Sequence, residues 1–497
     1  MLSRIARIEF PELLFGFVAP IGVDLTPGIQ FFRDFLERQK YHVIELKVTD
    51  LYPRFKKAVL PANPLVPAPV YERFNAFIDY GNQLRDHFSD DAILAAATIE
   101  AIVRARNALP KGTPFEKTAY LIRQFKRREE VELLRSVYGR LFFQISAYSR
   151  RGARIEALAR RIADSERAAH PEQFRNRAEE LVQRDTNESD VDHGQRVSKI
   201  FHDADFIINL DVREPSVQAQ VDRFCEIVFS SNACSPTHIE YGMFSAKAAA
   251  LRTLDLSRQV GAAIFSPQGE IVALGSNEVP KAGGGTYWSD EKYDARDYAL
   301  GRDSNDQRKI QIVGELLEKL GLKDQKDKIL ANPKIRDSQI MDALEYGRIV
   351  HAEMCAISDA ARLGRPTKDG ILFSTTFPCH LCAKHIVAAG ISKVWFLEPY
   401  PKSLAADLHP DSLDIENSDR GPYLEFPAVK FEHFFGITPR RYRELFERGK
   451  RKDDEGNFVP YIAGKKIPYM DIKAPFYHEL EREILKKFDK LDAPGSG

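Results

Sequence analysis

Residues 13–48 pass from an unbroken apolar run to a stretch with helical spacing and back. LLFGFVAP predicts a buried strand ended by Pro20, with Gly22 in the turn that follows. PGIQFFRDFLERQKY sets Ile29, Phe32, Phe35 and Leu36 at helical spacing, with Pro27 near the start, and predicts an amphipathic helix. HVIELKV then returns as a second strand, which gives the opening of an α/β unit. From about 71 to 185 the pattern reads as mostly helical, in stretches such as KRREEVELLRSVYGRLFF. Arg there is interleaved with Glu, and a solvated helical face explains this better than a nucleic-acid surface. ADFIINLD (204–211) reads as a late buried strand, and VQAQVDRFCEIVF as the helix after it.

A second α/β unit begins near residue 240. The helix YGMFSAKAAALRTLDLSR leads to the strands VGAAIFSP and EIVALGSN, joined through Gln268 and Gly269 as a β-hairpin. Residues 281–345 are a long polar segment, and segments of that length carry their own helices or a function. Helix, strand, helix and strand follow as far as VWFLEPY. The expected division is 1–235, 236–440 and a charged tail 441–497 whose PGSG end reads as linker.

Composition narrows the classes. The chain has 497 residues, enough for more than one buried core, and its 72 Lys+Arg balance 72 Asp+Glu. A duplex-binding protein shows a basic excess or a basic face, so zero net charge favours a small-molecule partner. No run approaches the roughly 18–20 apolar residues that span a bilayer, so no membrane is expected. The first residues imitate a signal peptide, but Glu9 and Glu12 interrupt the apolar run, and a buried strand is the better reading. Five cysteines make no disulfide framework, and reduced thiols point to the cytoplasm.

The informative residues are His351-Ala352-Glu353 and Pro378-Cys379-His380-Leu381-Cys382, the H-x-E … P-C-x-x-C pattern of zinc deaminases. Two cysteines spaced C-x2-C at a helix start can aim both sulfurs into one tetrahedral site, where the helix dipole favours thiolates. His351, Cys379 and Cys382 are the expected ligands of one zinc ion. Three protein ligands with an open fourth position mark a catalytic site. Glu353 stands beside the metal as the expected catalytic proton carrier. Cys355 is a rival ligand that reads better as a buried apolar residue. His380 and His385 read as surface or supporting residues, and Cys225 and Cys234 as structural.

SRQVGAAIFSPQGEIVALGSNEVP (257–280) resembles the opening hairpin of deoxycytidylate deaminases, with their G-x-N-x-x-P turn. The chain further resembles bacterial anti-phage dCTP deaminases, which join an N-terminal P-loop-kinase-like α/β domain to a cytidine-deaminase-like α/β/α domain. DHGQRVSKIFHDADFIINLD, NEVPKAGGGTYW, HAEMCAISDAARLG and FPCHLCAKHIVAAGISKVWFLEPYPKS carry this resemblance. It implies deamination of dCTP, and of dCMP, to the uracil nucleotide, depleting cytosine deoxynucleotides during phage infection. It also implies a homo-oligomer, and Asn277 as the pocket residue that meets the nucleotide sugar. Glu278, Lys281, Tyr287 and Trp288 complete the candidate substrate-binding set, with Arg258 and Lys402 as weaker phosphate candidates. Ordinary loop packing is the competing account of the aromatic pair. Three other readings stay open: a dCMP deaminase of pyrimidine metabolism, an editor of RNA or single-stranded DNA, and a non-enzymatic scaffold. A regulatory RNA, a nucleotide effector or an inhibitory partner would restrain such an enzyme.

The first domain departs from a working P-loop, G-x-x-x-x-G-K-[ST]. Gly16 and Gly22 are one residue too far apart, and Val23 and Asp24 stand where Lys and Ser/Thr belong. Kinase or ATPase activity is therefore not expected. The open choice is between a bound nucleotide held without transfer and a purely architectural part.

Overall fold

The central strand of the first sheet, β1 (Leu13–Val18), is buried along its whole length, as a strand with parallel neighbours on both sides must be. The sheet also contains β2 (His42–Lys47), β3 (Thr118–Arg123), β4 (Phe142–Tyr148) and β5 (Phe206–Asn209). Their order is β2-β3-β1-β4-β5, all parallel, and the two-residue strand Gly436–Ile437 adds antiparallel to β5. This is an open, mostly parallel α/β sheet, as the α/β expectation requires. The computed structural model describes residues 7–109, 115–186, 194–212, 214–336, 338–400 and 402–492. Met1–Leu2, Asp192, His193, Pro401 and the PGSG terminus lie outside the described residues.

The helix Thr26–Arg38 buries Ile29, Phe32, Phe35 and Leu36, the face that its spacing predicts. Phe32 meets Phe15 and Phe17 of β1 at centroid distances of 5.3 and 5.4 Å. Gly16 is not part of the turn. It sits inside β1, where a Cβ would come within 2.6 Å of the Phe142 ring, so packing accounts for the glycine. The stretch 71–185 is not wholly helical either, because it contributes β3 and β4 between its helices. Both strands are buried, and short apolar runs beside charged helices lack the alternation that would have shown them.

The protein divides into two compact units, Met1–Pro236 with Phe435–Gly497, and Thr237–Phe434. The described part of the charged C-terminal stretch thus belongs to the first unit. Glu481, on the helix Tyr477–Asp492, meets Arg106 at 2.7 Å, and Arg106 also pairs with Glu12 at 2.8 Å. Tyr120 and Tyr477 donate to Glu12, and Tyr138 donates to Glu481. One guanidinium and three phenols therefore satisfy two buried carboxylates.

The second unit has a sheet of β6 (Gly261–Phe265), β7 (Ile271–Ser276), β8 (Ile371–Thr376), β9 (Lys393–Glu398), β10 (Leu413–Ile415) and β11 (Val429–His433). The order is β10-β11-β9-β8-β6-β7. β6 pairs antiparallel with β7 and β8, and the remaining pairs are parallel. Residues 281–345 carry the helix Ser304–Lys319 and shorter helical turns. Arg296, 1 % exposed, pairs with Asp294 at 2.6 Å inside this insertion and ties it to Glu278 at 3.5 Å. No described helix is long and apolar enough to cross a membrane.

Candidate active site

Two helix N-termini converge on one point. His351 is the N-cap of the helix Ala352–Arg362, and Cys379 is the N-cap of the helix His380–Ala388. Cys382 sits in the first turn of the second helix. His351 Nδ1 lies 3.3 Å from Cys379 Sγ and 3.4 Å from Cys382 Sγ. The three ligand atoms all fall within 4.8 Å of one another. A tetrahedral zinc with ordinary Zn–N and Zn–S bonds sets nitrogen and sulfur about 3.6 Å apart, so the donors and their spacing fit that ion. Cys379 is held well below the usual thiol range by the hydrogen bond from Cys382, which outweighs burial, and by the adjacent His351. The N-terminal ends of both helices favour the same negative charge.

The first helix reaches the site because it lies directly on β7. A Cβ on Gly275 would run into the Ala352 carbonyl oxygen and come within 2.5 Å of the Ala356 amide nitrogen. Glu278 and Val350 exchange backbone hydrogen bonds of 3.3 and 3.2 Å, which seats the end of the hairpin beside His351. Glu353 is buried, and its Oε1 accepts from Ser374 Oγ at 3.0 Å while Oε2 faces Cys382 Sγ at 3.3 Å. Burial, and then the charge of Cys379, push its carboxyl upward.

The structure separates the other candidates by what they already hold. Asn277 Oδ1 accepts from the Val260 amide at 2.7 Å, and its Nδ2 donates to Asp255 and to the Arg258 carbonyl. Its amide braces the turn. Glu278 is also buried and accepts from the amides of Leu254 and Val279. Lys281 pairs with Glu291. The Gly283-Gly284-Gly285 run forms a tight turn with three positive φ angles, and Arg362 fills the space over Gly284. Trp288 has the Arg252 guanidinium 3.6 Å above its ring, so one face is taken. Tyr287 offers its carbonyl to the same Arg252 at 3.1 Å. Lys402 pairs with Asp342 at 2.8 Å, and Arg258 with Glu398 at 3.2 Å.

Cys355 is buried outside the ligand group, as an apolar residue would be, and burial pushes its thiol upward. His380 lies 3.4 Å from Glu345, and His385 is exposed. Cys225 is buried in the first unit's core, with Cys234 packed against that core. Sequence reasoning missed Ser374, which holds the Glu353 carboxyl, and Asp255, which holds Asn277 and whose charge acts on His351. It also missed Tyr400, whose hydroxyl is raised by burial against the opposing charge of Arg258, with Cys379 adding to the rise, and whose ring lies 5.3 Å below the Arg258 guanidinium. These residues stand in different segments with no motif spacing between them, so only folding brings them together.

In the first unit, Gly22 (φ +90°) packs on the Arg154 carbonyl, where a Cβ would approach within 2.7 Å. Val23 donates to the Pro20 carbonyl at 3.3 Å, and Asp24 accepts from the Thr26 amide at 3.0 Å. Buried Asp185 accepts from the Ile21 amide at 2.7 Å and from Lys126 at 2.6 Å. A carboxylate of the protein thus takes a loop amide that a phosphate-cradling loop would offer its ligand.

Residues 236–398 match the family described as the cytidine and deoxycytidylate deaminase zinc-binding region. ComE operon protein 2 of Bacillus subtilis (strain 168) is 42% identical over 53 residues, 11% of this chain and 28% of that protein. The probable deoxycytidylate deaminase of Drosophila melanogaster is 27% identical over 203 residues, 39% of this chain and 78% of that protein. The dCMP deaminase of cyanophage S-TIM5, solved with dCMP and dUMP, has a TM-score of 0.23 at 19% identity, covering 41% of this chain and all of that one. The second unit therefore contains a cytidine/deoxycytidylate-type deaminase domain with its His/Cys/Cys group.

Proposed function

We propose that the protein is a zinc-dependent deaminase of free cytosine deoxynucleotides, converting dCTP and dCMP to the uracil nucleotides with release of ammonia. The observation that carries this reading is a buried carboxylate, Glu353, fixed beside the His351/Cys379/Cys382 group inside the matched deaminase region. His351 Nδ1 and the two sulfurs would hold zinc, which supplies Lewis-acid activation of a water molecule. Glu353 takes a proton from that water and gives it to the ring nitrogen next to the amino-bearing carbon. It then carries the second proton to the amino group, so water is consumed and ammonia leaves. Ser374 fixes the carboxyl through Oε1, and Oε2, on the side of Cys382 Sγ, is the oxygen that would carry the proton.

Asn277, held by Asp255 and Val260, shapes the turn that receives the sugar and positions it through the backbone. Tyr400 and the open face of Trp288 are the aromatic surfaces for the base. Depletion of cytosine deoxynucleotides in the cytoplasm as anti-phage defence is the role that the resemblance supports. Zinc-loaded protein incubated separately with dCTP, dCMP, CTP, CMP and a cytosine-containing single-stranded oligonucleotide tests the substrate class. The expected result is turnover of the free deoxynucleotides. Conversion of the oligonucleotide alone would replace this reading with an editing enzyme.

A further inference from the structure

The first unit contains a cavity of about 650 Å³ beyond the carboxyl ends of β1, β2 and β3. Open parallel sheets bind ligands at that edge, and the volume lies within the ~300–1,000 Å³ of small-molecule sites. Its wall includes seven Lys or Arg side chains against two Asp. Most of these cations already face a carboxylate. Lys126 meets Asp185 at 2.6 Å, Arg123 meets Glu45 at 2.6 Å, and Arg85 meets Glu130 at 2.9 Å. Arg160 and Lys47 have Glu156 and Asp50 within 3.7 Å.

Arg73 and Arg161 differ, because among the described residues their guanidiniums meet aromatic rings and pair with no carboxylate. Arg73 lies 5.7 Å from the Phe74 centroid and 5.2 Å from that of Phe77, and Arg161 lies 5.6 Å from that of Phe74. Two guanidiniums gathered on one ring without a carboxylate repel each other until an anion joins them. Planar guanidinium forks suit phosphate oxygens. Phe74, Phe77 and Tyr52 supply an apolar, aromatic wall for a flat ring. The turn after β1 cannot take the phosphate itself, since Asp185 holds the Ile21 amide and Asp24 adds a second carboxylate.

We propose that this cavity binds a nucleoside phosphate, with its base against the aromatic wall and its phosphate on Arg73 and Arg161, and that no phosphoryl group is transferred. The site is separate from the deaminase centre. The turn supplies neither the Lys that steadies a transferred phosphoryl group nor the usual Ser/Thr magnesium ligand at Val23-Asp24.

Calorimetric titration of the full, zinc-loaded chain with ATP, GTP, dTTP and inorganic phosphate tests the proposal, because none of these is a deaminase substrate. At least one nucleotide should bind at one per chain and more than about tenfold more tightly than inorganic phosphate. The R73A/R161A variant should weaken that binding by about tenfold or more, and R73K/R161K should restore most of it. If the double alanine variant does not fold, R161A alone, on an exposed helix face, should still weaken binding several-fold. Absence of saturable nucleotide binding, unchanged affinity in the folded alanine variants, or equal affinity for inorganic phosphate would each overturn the proposal. Release of phosphate from ATP that depends on Arg73 and Arg161 would overturn its non-transferring part.

Discussion

A side chain that only holds another can set the rate of a reaction. Ser374 Oγ is the hydrogen-bond donor to Glu353 Oε1, and the same hydroxyl lies 2.7 Å from the Thr376 carbonyl. Losing a buried hydrogen bond of this kind costs about 1–3 kcal/mol, which at the transition state is about five- to 150-fold in rate. S374A should therefore lower kcat by that factor with zinc content unchanged, as read by steady-state kinetics beside metal analysis. A variant that loses its zinc would show Ser374 to be part of the metal site's frame instead. Asn277 makes a different prediction. N277A strips partners from Asp255 and the Val260 amide, so its first effect should be on the fold, at about 1–3 kcal/mol in urea unfolding. A variant of full stability with a raised KM would assign the side chain to substrate contact.

At the scale of elements, the site depends on how closely a helix can approach a strand. Gly275 lets the helix Ala352–Arg362 lie on β7, and that contact aims both His351 and Glu353. G275A should push the helix away, weaken zinc binding and lower the melting temperature, while an alanine at exposed Gly364 should leave zinc affinity unchanged. The zinc group was legible in the sequence because its chemistry requires neighbours at fixed spacing, C-x2-C in one helix turn and H-x-E at another helix start. Helix Thr26–Arg38 was legible for a similar reason, since its buried positions follow its own period. β3 and β4 were not, because strands buried on both faces lose alternation and blend into helical surroundings. Gly16 read as part of a phosphate loop because a glycine's reason is invisible without its neighbours, here the ring of Phe142.

For the whole molecule, the chain's last segment completes its first unit. Arg106 bridges Glu12, at the start of the chain, and Glu481, near its end, and all three are buried. No sequence pattern links residues so far apart. Replacing Arg106 by Met leaves two buried carboxylates without their cation, a defect that costs about 3–5 kcal/mol. R106M should lower the unfolding midpoint of the first unit while zinc stays bound in the second, as followed by far-ultraviolet circular dichroism and metal analysis. Coincident loss of zinc would show that the two units unfold together.

The central claim is that Glu353 carries protons for deamination at a zinc held by His351, Cys379 and Cys382. The most direct test compares wild-type protein and E353Q for bound zinc and for ammonia released from dCMP and dCTP. Equal zinc in both, with ammonia from the wild type and none above background from E353Q, is the predicted result. Ammonia release by E353Q at the wild-type rate, or a wild-type protein that binds zinc yet releases none from either nucleotide, would contradict it.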